Sequence, residues 1–345
     1  MKKVENLETI FIATTSIDDQ PKVEEELLEK LTQTKNWDGR LLHKYKGFWC
    51  PTRLVLPLVS IEKQFQSDYE NIIDFIILAT LPKSGTTWLK ALIFSIINHH
   101  DHHQKSQLLT SNPHELIRFD FDIMYKTPPQ SSIIFPKIFA THSPYDALPS
   151  SIQQSHSKII YLCRNPLDQF ISTRFFVLEN NFEGENEPST IEEALEMFIK
   201  GIHPFGPFWK HMLGYWYASL KDPKKVLFLK YEDIKGDTLL YVKKIAEFLG
   251  CSFSKEEEEN GMIEDIVRIC SFEYLKNLEV NKDPSGEFMN VKYSSFFRKG
   301  QMGDWANHLT ISLAKSFDEF LKEKLGDSGL TFEIFTSTQE HAHDD

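Results

Sequence analysis

The run FIILATLPKSGTTWLKALIFSII, residues 75–97, constrains this chain more than any other feature. From Phe75 to Leu81 the residues are aliphatic with almost no polar alternation. A strand of that kind is buried on both faces, as happens when helices cover a parallel sheet. A short polar loop follows, Lys83-Ser84-Gly85-Thr86-Thr87. Apolar residues then return at helical spacing, with Trp88, Leu92 and Ile96 beside Leu89, Ile93 and Ile97. Strand, tight loop and helix in 23 residues is the opening unit of an α/β fold.

The rest of the chain repeats the pattern. Strand candidates fall at 137–144, 158–166 and 224–233, and helices at 167–180 and 236–250, the latter stopping on Gly250. Further helices are expected within 190–220 and from 254 to 270. We therefore expect one doubly wound, mainly parallel sheet flanked by helices, in a single domain. At 345 residues, 41% of them hydrophobic and 26% charged, the chain can bury a large core. In such sheets ligands bind beyond the carboxyl ends of the strands. The loops after Leu81, Thr141, Cys163 and Lys230 are where chemistry is expected.

Charge and cysteines narrow the classes. A formal charge of −12 argues against general affinity for nucleic acid or anionic membrane, so an anionic ligand needs a local basic cluster. No run approaches the ~18 apolar residues of a membrane span, and the N-terminal stretch is too short and too charged for a secretory signal. The four cysteines are far apart and match no metal or redox spacing. A soluble cytoplasmic protein with reduced thiols is expected.

Four short motifs carry the chemistry. In KSGTT, Gly85 lets the backbone turn and present N–H groups, the following helix adds its positive end, and Lys83 adds a full charge. That makes an anion cradle suited to phosphate, although GxxxxGK[ST] is absent and the lysine precedes the glycine. A capped helix entry with a solvated lysine is the plainer alternative. In CRNPLDQFIS, Arg164 stands at a strand end, Asn165-Pro166 opens a helix, and Ser172 lies two turns on. An arginine fork suits a terminal phosphate, but pairing with Asp168 explains it as well. In SSFFRKGQMGDW, Arg298, Lys299 and Gly300 form a basic turn able to close over a phosphate. His142, at the end of KIFATHSP, is either a structural histidine or a general base.

Taken together, PKSGTTWL, THSPYDALP, CRNPLDQFIS, LFLKYEDIK, CSFEYLKN and FFRKGQMGDW resemble the cytosolic PAPS-dependent sulfotransferases in order and spacing, over residues 45 to 335. GFWCP and the FRKGQMGDW spacing look most like the plant branch. The resemblance implies an enzyme that moves a sulfuryl group from PAPS (3′-phosphoadenylyl sulfate) to the hydroxyl of a small organic acceptor, releasing PAP. Lys83, Ser84, Gly85, Thr86, Thr87 and Trp88 would hold the 5′-phosphosulfate, with Trp88 on adenine. Arg164 and Ser172, with Arg298, Lys299 and Gly300, would hold the 3′-phosphate. Tyr231 would contact the nucleotide and Phe272 the base. His142 would be the catalytic base, and Lys83 would stabilise the leaving oxygen. Ser172 is suggested to hold Lys83 back until the acceptor binds. No metal is implied. Flavonols, steroids, hydroxyjasmonate and desulfoglucosinolates are the acceptor classes open.

Some residues depart from that pattern. Ala140 stands where many relatives carry a lysine, Cys270 where animal members often have threonine, and Ala306 follows GDW in place of the animal dimer motif, which points to a monomer. A nucleotide kinase or NTPase, and a PAP-binding protein without turnover, stay open as alternatives. HHDHH (99–103) resembles a metal tract but has no spaced partners, and a solvated loop is expected. The patch 203–217 reads as helix packing, part of which, with Trp49 and Tyr145, could wall the acceptor pocket. Residues 1–40 are expected to be a flexible segment with a short helix, 41–335 the sulfotransferase domain, and 336–345 a disordered tail.

Overall fold

Gln33–Lys35 (β1), Leu41–Tyr45 (β2) and Phe48–Pro51 (β3) form a small antiparallel sheet at the start of the folded chain. Lys46 and Gly47 join β2 to β3 with φ of 44° and 86°, the backbone of a tight two-residue hairpin. No strand was expected here. β1 has only three residues, and β2 does not alternate cleanly: Leu41 and Lys44 are exposed while Leu42, His43 and Tyr45 are buried. The computed structural model describes residues 26–67, 75–101, 106–119, 137–180 and 189–335. Of the tails expected from the sequence, 1–25 and 336–345 lie outside the described residues.

After the helix Thr52–Ser67 (α1) the main sheet is built from Phe75–Thr80 (β4), Lys137–Thr141 (β5), Lys158–Cys163 (β6) and Val226–Lys230 (β7). These four strands are parallel, in the order β5-β4-β6-β7, with helices flanking them. This is the α/β architecture expected. The first flanking helix, Thr86–Ile97 (α2), is buried along most of its length: Leu89, Ala91, Leu92, Ile93 and Ile96 are all 0% exposed. Each large aliphatic side chain so removed from water stabilises the fold by about 1.5–3 kcal/mol. The remaining helices used below are Pro166–Glu179 (α3), Ile191–Ile199 (α4), Phe208–Lys221 (α5), Tyr231–Gly236 (α6), Thr238–Leu249 (α7), Met262–Ile269 (α8), Phe272–Asn277 (α9) and Ile311–Leu325 (α10).

Several boundaries moved. The strands end at Thr141, Cys163 and Lys230, short of the expected limits, and Tyr231 already opens α6. The helix expected over 254–270 is two, because Gly261 sits at φ 77° in the left-handed region between Lys255–Glu259 and α8. Among the described residues no helix is long and apolar enough to cross a membrane.

Register decides where the site lies. Ala79 pairs with Thr141 and Thr80 with Leu162, while Cys163 pairs with Lys230. The next residue on each strand therefore emerges at the same edge of the sheet: Leu81, His142, Arg164 and Tyr231. From β4 the chain moves to β5 on one side and then to β6 on the other. The crevice at such a switch point is the usual ligand site of an open parallel sheet.

Candidate active site

The loop after β4 is strained. Lys83 has φ 67° and Gly85 φ 105°. A Cβ on Gly85 would also lie 2.8 Å from Cδ2 of Tyr231, so only glycine fits there. Gly85 is the N-cap of α2 and caps no N–H with a side chain, so the first-turn amides point out at the positive end of the helix. Gln169 from α3 donates from Nε2 to the Pro82 carbonyl at 2.6 Å and fixes the loop from below. Ser84 differs from its neighbours. It is buried at 1% exposure, and its N–H donates to the Leu81 carbonyl at 3.3 Å, so it shapes the turn rather than facing a ligand.

Lys83 turns inward. Its Nζ lies 4.0 Å from the Phe176 ring centroid and makes a long 3.5 Å contact to the Ser295 carbonyl. Burial, then the nearby charges of Arg298 and Arg164, bring its pKa down to about 7 against a raising pull from Glu179. Two neighbouring guanidiniums thus add to the cost of burying this ammonium, and an anion beside it would offset both.

Arg164 leaves β6 opposite Tyr231, and its guanidinium lies 4.7 Å from that ring. Its Nη2 reaches Asp168 Oδ2 at 3.3 Å and also donates to the Gln301 carbonyl. Asp168, 1% exposed, in turn accepts from the N–H groups of Gly303 (2.8 Å) and Trp305 (3.0 Å). This carboxylate thus moors the 298–305 loop to α3. Arg298 and Lys299 both pair with Asp304 at 2.7 Å. Burial works to raise the Asp304 pKa, but hydrogen bonds from Lys299, Arg298 and Asn307 outweigh it and hold the carboxyl well below its usual range. Gly300, at φ 63°, lies under Phe272, whose Cδ2 would be 2.5 Å from an added Cβ, and Tyr231 Oη donates to its carbonyl at 3.2 Å. Trp88 meets Tyr231 edge-on at 5.3 Å between ring centroids.

His142 is held by β4. Its Nδ1 is 2.7 Å from the Thr80 carbonyl, and a carbonyl only accepts, so Nδ1 carries the proton and the lone pair of the neutral ring is on Nε2. Phe119 and Phe205 lie at 4.6 and 5.3 Å between ring centroids. From α5, His211 Nε2 donates to the His142 carbonyl at 2.9 Å, and Tyr215 Oη donates to the Ser143 carbonyl at 2.7 Å. Burial lowers the His142 pKa to about 3, with Lys90 and His211 lowering it further and the Thr80 bond opposing them. Burial thus keeps the ring neutral, with its lone pair on Nε2.

Two residues of this site escaped the sequence reading. Lys90, 1% exposed on α2, lies 3.1 Å from Nδ1 of His114, whose Nε2 is 2.9 Å from Thr87 Oγ1. A protonated lysine only donates, so His114 accepts on Nδ1 and donates from Nε2. Thr87 then keeps its own hydroxyl proton for a partner in the cavity. A lysine in the middle of an otherwise apolar helix was the one signal available. Trp49 and Tyr145 do not line the cavity. Trp49 exchanges backbone hydrogen bonds with Phe205 and Gly206, and Tyr145 packs on Tyr215.

One cavity of about 340 Å³ gathers the sequence-expected residues His142, Lys83, Gly85, Thr86, Thr87, Trp88, Arg164, Ser172, Tyr231, Phe272, Arg298, Lys299 and Gly300. Ser84 alone of that set lies outside its lining. Phe119, Phe170, Phe176, Phe198, Phe205 and Phe296 supply an apolar wall, and Asn36, Trp37, Arg40 and Arg53 reach it from the first sheet and α1. Nε of Arg164 and of Arg298 are buried with no hydrogen-bond partner among the described residues. These donors add to the excess of cationic groups around Lys83.

The family model of the sulfotransferase domain matches residues 74–329, which includes every strand of the main sheet. The chain belongs to the sulfotransferase family. It is 41% identical to cytosolic sulfotransferase 15 of Arabidopsis thaliana over 92% of this chain and 91% of that protein. It is 42% identical to cytosolic sulfotransferase 14 of the same plant over 90% of each. Among solved structures, a putative steroid sulphotransferase of Arabidopsis thaliana superimposes with a TM-score of 0.69 at 34% identity, covering 93% of this chain and 99% of that one. A mouse sulfotransferase complexed with PAP does so with a TM-score of 0.60 at 29% identity, covering 83% and 95%. This plant-type cytosolic sulfotransferase is a PAPS-dependent enzyme, and PAPS is its sulfuryl donor.

The buried histidines predict how this sulfotransferase responds to acid. Burial lowers the pKa of His142 and His203 to about 3 and that of His211 to about 4. Between those values and about 6.5 the unfolded chain binds protons that the folded one refuses, so stability falls as pH drops through that window. Each such histidine contributes about 1.4 kcal/mol per pH unit there. Urea midpoints measured from pH 7 to pH 5 should fall steadily, and His211→Gln should flatten the slope. A midpoint independent of pH in that range would contradict the assignment.

Proposed function

We propose that this sulfotransferase acts on a small, largely apolar hydroxyl compound, with His142 as base and Lys83 and the α2 amides as the electrophilic side. The observation that carries this is the fixed tautomer of His142: Nδ1 is tied to Thr80, which leaves Nε2 as the proton acceptor, while Thr80 Oγ1 touches Thr86 Oγ1 of the anion loop at 2.7 Å. Base and cradle are thus joined through one residue of β4. His142 Nε2 takes the acceptor's hydroxyl proton as its oxygen bonds to sulfur, and the bond from sulfur to the bridging phosphate oxygen breaks. Lys83 and the first-turn amides of α2 stabilise the charge that grows on that departing oxygen, which is where such groups lower the barrier. Arg164, Ser172, Arg298, Lys299 and the Gly300 loop hold the 3′-phosphate, and Trp88, Tyr231 and Phe272 frame the base. We read the enzyme as a monomer.

Replacing His142 with alanine should cut turnover about 10²–10⁴-fold while PAP binding in calorimetry stays within twofold. Near-native turnover in that variant would remove His142 as the base.

The Lys83 pKa of about 7 gives a sign for nucleotide binding. An anion beside Lys83 favours its charged form and raises that pKa, so binding takes up a proton once pH exceeds about 7. PAP affinity should weaken from pH 7 to pH 8.5. Titrations in buffers of different ionisation enthalpy should show proton uptake that Lys83→Met abolishes. Uptake that persists in the variant would assign the proton to another group.

A further inference from the structure

His99 and His100 follow the last turn of α2, in a tract to which the sequence offered no spaced partner. The fold supplies what the sequence lacks. The helix Lys255–Glu259 brings in Glu257, whose Oε1 lies 3.3 Å from His99 Nε2 and 3.0 Å from His100 Nδ1. All three potential ligand atoms fall within 4.8 Å of one another.

The state of each atom can be worked out. His99 Nδ1 is 2.6 Å from the Ile96 carbonyl, so Nδ1 is the protonated nitrogen and Nε2 bears the lone pair. The His99 side chain is 0% exposed, and Nε2 has no hydrogen-bond partner among the described residues. Glu257 uses its other oxygen, Oε2, to accept from the N–H (2.8 Å) and hydroxyl (2.9 Å) of Ser254, which leaves Oε1 facing the imidazoles. Phe253 packs against the His99 ring at 4.7 Å between centroids. A buried lone pair 3.3 Å from a carboxylate oxygen repels it unless a cation lies between them. A proton on His99 can fill that gap, and a metal ion fills it while also engaging His100 Nδ1 through the same carboxylate oxygen. Ligands at about 2.0–2.2 Å in a tetrahedron are about 3.3–3.6 Å apart, so the 3.3 Å pair fits as it stands and the 3.0 Å pair has to open slightly. Locking Nδ1 on a carbonyl and one carboxylate oxygen on a hydroxyl is also how proteins orient metal ligands.

We propose that His99, His100 and Glu257 form a binding site for one divalent first-row cation of the Zn²⁺ type, with water completing the coordination. Two imidazoles and a carboxylate are the donor set that class prefers. The site lies at the end of α2 opposite Gly85, about 18 Å along a helix of this length, so the ion takes no part in sulfuryl transfer. It ties the end of the helix that carries the anion loop to the Lys255–Glu259 helix.

The test uses the full-length, untagged, metal-stripped protein, titrated calorimetrically with Zn²⁺ and followed with Co²⁺ by visible absorption. One ion per chain is expected, with the intense d–d bands of tetrahedral cobalt. His100→Ala and Glu257→Gln should each weaken binding by about tenfold or more. Glutamine can keep the bonds from Ser254, so Glu257→Gln preserves the helix start, and unchanged circular dichroism confirms that. The double variant His102→Ala/His103→Ala should bind as the native protein does. Native affinity in Glu257→Gln would overturn the site, as would loss of binding confined to the double variant or the absence of stoichiometric uptake.

Discussion

β4 is paired on both sides, through Ala79 with Thr141 of β5 and through Thr80 with Leu162 of β6, and the placement of the proposed base and anion loop hangs on that double register. A slip of one residue on the β5 side would turn every side chain of that strand to the other face and move His142 off the Thr80 carbonyl. It would then lose the bond that fixes its tautomer. A slip on the β6 side would carry Arg164 away from the loop that presents Lys83. The register is secured by burial rather than by specific polar contacts: Ile77, Leu78, Ala79, Ile159, Ile160 and Leu162 are all 0% exposed. The hydrophobic core is therefore what aims His142, the proposed base, because a strand buried on both faces cannot shift without exposing apolar surface.

Electrostatically the site runs against the rest of the molecule. A chain of formal charge −12 collects Lys83, Arg164, Arg298 and Lys299 around one cavity. Asp168 and Asp304 do not neutralise the cluster so much as arrange it. Asp168 spends its oxygens on Arg164 and on the amides of Gly303 and Trp305, and Asp304 gathers Arg298, Lys299 and Asn307. Both carboxylates lie on the protein side, which leaves Lys83 facing the cavity with a depressed pKa. Arg164 and Arg298 each oppose the charge on Lys83, and a ligand with two anionic groups would relieve that repulsion.

Local motifs were legible in the sequence wherever one short segment carries the whole function. Gly85 is a case: the tight loop, the helix start and the absence of a Cβ are all encoded within KSGTT. The doubly buried strand and the helix after it were equally clear from apolar pattern alone. What stayed hidden depends on contacts across long sequence separations. Ser84 has the residue type of a phosphate ligand, yet the turn directs it inward, and only the backbone shows that. The first sheet was missed because its strands are too short for a period to emerge. His114 becomes meaningful only when α2 brings Lys90 and Thr87 to its two nitrogens.

The same reasoning explains why histidine is the hardest residue to read in this chain. Each buried imidazole is defined by what its two nitrogens meet. His211 donates to the His142 carbonyl and accepts from Tyr161, which saturates it and makes it structural. His142 has the same backbone tether on one nitrogen, but its other nitrogen faces the cavity wall formed by Phe119 and Phe205. A single unmet lone pair therefore separates a support from the proposed base. His99 has that same unmet lone pair at the far end of α2, opposite a carboxylate instead of a cavity. Protonation chemistry suits the first position because an acceptor hydroxyl can reach it. Coordination suits the second because an anion already faces it, so one side-chain type takes two roles according to what its second nitrogen finds.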